Sequence, residues 1–214
     1  MKLFKFLNAG FLNLLFPLHC AGCGEKLSPR KAGFPLCKNC FPQLHFYSTE
    51  IKSDTYAVCR YEGIVKKIVH NLKYKKKRFL AVIPGTILAD FYKKNFNSRN
   101  IDFIVPVPLH RVRKRERGFN QAELIAERMK KILNLPWSSN LLRIRNTPSQ
   151  TLISKAERLR NLKGAFRARR PFSFYGKNIL LIDDVYTTGA TTEECKKILK
   201  EAKAKKVFVL TFAK

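Results

Sequence analysis

The chain has 214 residues, 45% of them apolar and seventeen of them Phe, which is enough to bury a core and places it among globular proteins. Its 43 Lys and Arg against 15 Asp and Glu give a formal charge of +28. Such a field draws polyanions, whether phosphorylated metabolites, nucleic acid or an acidic membrane surface, without choosing among them.

In chain order, residues 1–18 (MKLFKFLNAGFLNLLFPL) are too short and too polar to span a bilayer. Asn8 and Asn13 and the lack of a small-residue cleavage site argue against a signal peptide. Phe4, Leu7, Phe11 and Leu14 recur at helical spacing, which predicts a helix with one apolar face. That face either packs on the protein or touches a membrane surface. Next come two C-x-x-C pairs, Cys20/Cys23 and Cys37/Cys40, thirteen residues apart. Each doublet makes a tight knuckle that aims two thiolates at one ion, and two knuckles close a tetrahedral zinc site. Four protein ligands leave no open position, so the zinc is structural. Two disulfides or four core thiols are the alternatives. Cys59 and Cys195 read as core thiols. We set a boundary here: residues 1–50 form an N-terminal helix and metal module, and residues 51–214 a second domain.

From there strands and helices alternate. A strand is expected at 57–61 and a helix at 63–75, followed by a helical stretch at 79–94 interrupted by Pro84-Gly85. Residues 101–107 are an apolar run ending at Pro106 and Pro108, residues 121–133 are helical, and 141–144 suit a strand. Residues 154–161 read as a short helix capped by Ser154, 179–182 as a buried strand, 191–202 as a helix and 207–212 as a closing strand. The pattern predicts an α/β fold with a parallel sheet flanked by helices.

The most informative segment is 178–192, NILLIDDVYTTGATT: an apolar strand ending in Asp183 and Asp184, then a Thr/Gly loop, then the opening of a helix. Thr191 and Glu194 form a capping-box pattern. A helix mouth at the carboxyl end of a sheet strand presents unpaired N–H groups to anions. Thr187, Thr188 and Thr191 add hydroxyl donors, and the two acids suit sugar hydroxyls with magnesium bridging the negative groups.

This loop, LLIDDVYTTGAT, resembles the motif of type I phosphoribosyltransferases that binds 5-phosphoribosyl-1-pyrophosphate (PRPP). The paired cysteines, VPVPLHRVRKRERGFNQA (105–122) and QTLISKAERLRNLKGAF (150–166) are similar to the ComF family, competence-associated relatives of amidophosphoribosyltransferases. The resemblance implies a cytoplasmic, magnesium-dependent PRPP protein with a role in DNA uptake. Asp183 and Asp184 would hold the ribose hydroxyls, and Thr187, Thr188, Gly189, Ala190 and Thr191 the 5′-phosphate. Val107, Pro108 and Leu109 would form the pyrophosphate loop, with Arg113, Arg115 and Arg117 either neutralising the leaving group or making a solvated basic turn. Gln150, Arg158 and Asn161 would belong to a mobile cationic lid, with Arg158 counted as catalytic beside the two acids. Lys73 matches a basic position common in that family, and His110 reads as a hydrogen-bonding loop residue. Purine-salvage relatives carry an acid where this chain has Thr187, which cannot act as a general base at neutral pH, so purine salvage is disfavoured. Alternatives are a single-stranded-DNA binder working with the DNA-import machinery, or a PRPP sensor without turnover.

Overall fold

The computed structural model describes residues 18–27, 34–147 and 160–214. The expected helices at 1–18 and 154–161 lie wholly or almost wholly outside the described residues. A five-stranded sheet forms the centre, in the order β1-β2-β7-β6-β3. Its strands are β1 (Phe46–Lys52), β2 (Thr55–Cys59), β3 (Phe103–Pro106), β6 (Asn178–Val185) and β7 (Lys206–Ala213). The β2–β7, β7–β6 and β6–β3 pairs are parallel, and β1 adds an antiparallel edge through a hairpin to β2. β7, last in the chain, is therefore central, which explains why it is buried along nearly its whole length. A separate antiparallel pair joins β4 (Leu141–Arg143) to β5 (Phe166–Ala168).

Strand alternation divides the core into two layers. Leu180 and Ile182 of β6, with Phe208, Leu210 and Phe212 of β7, pack against α1 (Gly63–Tyr74), α2 (Val82–Asn95) and α4 (Gln121–Leu133). Ile179, Leu181, Val207 and Val209 face the opposite layer, with α5 (Ala190–Glu201) and the β4–β5 pair. α1 buries Val65, Ile68, Val69 and Leu72, the spacing of one helical stripe. Between β3 and α4 lies the short α3 (Arg111–Arg117), which buries none of its residues. Cys20, Leu27, Leu36 and Leu44 join the first of these core layers. No helix among the described residues is long and apolar enough to cross a membrane.

The expected break at Pro84-Gly85 does not occur. A 3-10 turn at Arg78–Ala81 leads into α2, which runs unbroken from Val82 to Asn95. Pro84 falls in the first helical turn, where a missing N–H costs little. Gly85 serves packing instead: a Cβ there would stand 2.6 Å from Arg128 Cβ and 3.1 Å from the Ile125 carbonyl oxygen on α4. Gly85→Ala gains about 1 kcal/mol of helix propensity but overpacks this contact at a cost of about 1–3 kcal/mol. Thermal denaturation of Gly85→Ala should show a net loss of stability.

Candidate functional site

β6 carries the site. Its register on β3 brings the 107–109 loop alongside, and the Val107 N–H donates to the Ile182 carbonyl at 2.8 Å. Asn120, almost fully buried, locks this loop to α4. Its Nδ2 donates to the Val107 carbonyl at 3.0 Å, and its Oδ1 accepts from the Ala122 N–H at 3.0 Å as the helix cap. His110 likewise caps α3, its Nδ1 accepting from the Val112 N–H at 3.4 Å, which is the hydrogen-bonding part expected of it.

Asp183 and Asp184 are both buried at the carboxyl end of β6. Adjacent strand residues point to opposite faces, so the two acids meet different surroundings. Asp184 turns towards the α1 layer, where Lys73 Nζ lies 2.7 Å from its Oδ2. Burial works to raise the Asp184 carboxyl, but the charge of Lys73 outweighs it and holds the group below the usual carboxylate range. Asp183 accepts the Asp184 N–H at 2.9 Å and has no cation within ion-pair distance among the described residues. Burial, then the neighbouring Asp184 charge, push it well above the usual range.

After Val185 the chain turns through residues 186–189 into α5. Gly189 adopts φ +80 and caps the helix, and a Cβ there would run into the Tyr186 ring. The capping box expected from Thr191 and Glu194 is not formed. The helix starts one residue earlier, at Ala190, and Glu194 accepts the Gly164 N–H at 2.8 Å instead. Among the described residues the N–H groups of Thr187, Thr188 and Gly189 take no partner, which leaves a row of donors at a helix mouth.

These elements enclose a cavity of about 390 Å³. Asp183, Asp184, Thr187, Thr188, Ala190 and Thr191 form one side, and Val107, Pro108 and Leu109 another. Lys73, Arg113 and Arg117 face it, the two arginines one turn apart on α3. Gly189 shapes the turn without lining the cavity. Arg115 lies on a different side of α3, with Arg111, Lys114 and Gly118. Asn161 is exposed beside Leu162, which lines the cavity; Gln150 and Arg158 lie outside the described residues. Sequence reasoning missed Arg143, Tyr61, Gln121 and the capping role of Asn120. Helical spacing from Arg113 was the available signal for the Arg113/Arg117 pairing, and nothing in the local pattern of β4 pointed to Arg143.

The four cysteines of the N-terminal module converge, with all Sγ atoms within 4.8 Å of one another, and all six cysteines are free thiols. Four thiolates around a zinc ion at about 2.3 Å would stand about 3.8 Å apart; Cys23 Sγ and Cys37 Sγ are 3.7 Å apart. The donor set and spacing thus fit one tetrahedral thiophilic ion. Burial works against the Cys20 thiolate, but backbone N–H groups, first that of Cys37, bring its pKa down to about 6. Of the histidines near this module, His45 is bound to Glu62 at 2.8 Å instead. Cys59 and Cys195 are core thiols, as expected.

No protein-family model matches the chain. Among curated proteins, Competence protein ComFC of Bacillus subtilis is 31% identical over 201 residues, covering 90% of this chain and 75% of that one. The chain belongs to the ComF family. Competence protein F of Haemophilus influenzae is 27% identical over 210 residues, 91% of this chain and 90% of its own. The DNA utilization protein YhgH of Escherichia coli is 32% identical over 146 residues, 66% of this chain and 63% of its own. A solved glutamine PRPP amidotransferase from B. subtilis, complexed with ADP and GMP, overlays 60% of this ComF chain on 25% of its own, with 19% identity and a TM-score of 0.40.

The two acids predict opposite responses. Asp183 has a raised folded pKa, so its ionisation destabilises the fold as pH rises, and Asp183→Asn should raise the melting temperature by about 2–4 °C near neutral pH. Asp184 has a lowered folded pKa, so its contribution is present above the unfolded carboxylate range and lost as pH falls through the folded value. Lys73→Met strips that partner and should cost about 3 kcal/mol at neutral pH, with the gap to wild type narrowing in acid. Denaturant titrations from pH 3 to 8 check both.

Proposed function

We propose that this ComF chain binds PRPP with magnesium and works as a phosphoribosyltransferase, displacing pyrophosphate from ribose C1. The observation that carries this reading is the cavity itself. Among the described residues, one buried acid without an ion-pair partner, a row of free amides with threonine hydroxyls at a helix mouth, and two arginines face a single space. In this reading Asp183 and Asp184 hold the ribose hydroxyls, and the amides and hydroxyls of 187–191 hold the 5′-phosphate. The 107–109 loop, with Arg113 and Arg117, receives the pyrophosphate; Gln150, Arg158 and Asn161 are the lid residues that the resemblance to the ComF family implies. Magnesium, when bound, would neutralise charge between diphosphate and sugar, and Asp183 is the carboxylate free to answer that charge.

A nucleophile attacks C1, the bond from C1 to the diphosphate oxygen breaks, and the electron pair leaves with pyrophosphate. Positive charge grows at C1 and negative charge on the leaving oxygens. The chain's own contribution is positioning and electrostatics: guanidinium groups at the leaving group and carboxylates at the sugar. No base is needed for the departure step. In the N-terminal module Cys20, Cys23, Cys37 and Cys40 would hold a structural zinc ion, with no ligand position open for catalysis.

A second reading, direct binding of single-stranded DNA, is favoured by the names of the competence and DNA-utilization relatives and by the basic side of α3 at Arg111 and Arg115. It predicts affinity that falls steeply with salt and ignores Asp183→Ala.

Calorimetric titration with PRPP and magnesium should show one site in the wild type, weakened about tenfold or more in the Asp183→Asn/Asp184→Asn double variant. Equal heats from both proteins would remove the assignment. Metal analysis should give one zinc per chain, and Cys40→Ser should lose it with a fall in melting temperature.

A further inference from the structure

Arg143 stands on β4, far in sequence from the phosphate loop, yet it lines the same cavity. Its Nη2 donates to Thr147 Oγ1 at 2.5 Å, and its guanidinium lies 5.5 Å from the Phe166 ring centroid. Arg113, arriving from α3, donates its own Nη2 to the carbonyl oxygen of the same Thr147 at 2.5 Å. Thr147 is buried, so two guanidinium groups from different elements share one buried residue.

Neither arginine has a carboxylate within ion-pair distance among the described residues. The Nε of Arg143 is buried and has no hydrogen-bond partner there. Burial, then the charge of Arg113, disfavour the charged form of Arg143. Two like charges brought together at a cavity are an arrangement that an anion relieves. Charge balance says how large an anion. Lys73 is matched by Asp184, which leaves Arg113, Arg117 and Arg143 facing Asp183 alone. Each guanidinium has five N–H donors in a planar fork, so the pair suits the oxygens of two linked phosphates better than one. The monoester has its own place at the 187–191 amides, on the other wall.

We propose that Arg113 and Arg143, braced on Thr147, form a two-guanidinium subsite for a diphosphate. The proposal rests on the PRPP reading and extends it to a residue outside the phosphate loop and outside α3. It gives β4 a part in binding: the strand carries one half of the clamp, and Thr147 fixes the distance between the halves.

The test is calorimetry with inorganic pyrophosphate and, separately, ribose 5-phosphate, each with magnesium, on wild type, Arg143→Gln and Arg143→Lys. Pyrophosphate affinity should fall roughly tenfold to a hundredfold in Arg143→Gln. Arg143→Lys should recover only part of it, because an ammonium lacks the fork. Ribose 5-phosphate affinity should stay within about twofold in both variants, which also certifies that they fold. Pyrophosphate binding unchanged in Arg143→Gln, or both ligands weakened equally, would overturn the clamp while leaving the PRPP reading standing. A wild type that binds neither probe would overturn both.

Discussion

A β-strand sends neighbouring side chains to opposite faces, and at the end of β6 this rule separates two carboxylates that the sequence presents as a pair. Asp184 reaches Lys73 across the α1 layer and is neutralised in place. Asp183, on the other face, is buried with a negative neighbour and no cation within ion-pair distance among the described residues. The fold thus stabilises one acid and leaves the other in need of a partner. Lys73 is central to this arrangement: without it, neither acid would have an ion-pair partner among the described residues, and the end of β6 would carry two buried carboxyls to compensate.

The rest of the site is built outward from that strand end. β3 pairs with β6 and delivers the 107–109 loop; buried Asn120 ties that loop to α4; Gly189 turns the chain so that α5 starts at the cavity. Each connection uses backbone polar groups already committed to the fold, so the cavity is preformed before any ligand arrives. Preformed charge is the form of electrostatic help that requires no reorganisation during a reaction. The positive excess of the whole chain, +28, extends the same logic to encounter, since a strongly basic surface raises the local concentration of polyanions.

Much of the architecture was legible because periodicity and punctuation agree there. The helix at 121–133 has a clean apolar stripe, and it is found with those bounds. The 179–182 apolar run, the strand at 103–106 and the four-cysteine cluster were equally plain. Failures came where a local rule met a tertiary competitor. Pro84 looked like a break but sits in a first turn, and Gly85 is there for α4. Glu194 looked like a capping residue, yet the loop before β5 takes it. Arg115 was grouped with Arg113 and Arg117 by proximity along the chain, whereas helical geometry turns it elsewhere. Arg143 was invisible because its role arises from β4 and α3 meeting at Thr147, a contact thirty-four residues apart that no local pattern encodes.

The asymmetry of the two acids is the claim on which the account turns, and carbon-13 NMR of selectively labelled aspartates measures it directly. Followed through pH in the unliganded protein, the Asp183 carboxyl should titrate well above the ordinary carboxylate range and Asp184 below it, and Lys73→Met should remove the depression of Asp184. Two carboxyls titrating together in the ordinary range, or in the reverse order, would contradict the account.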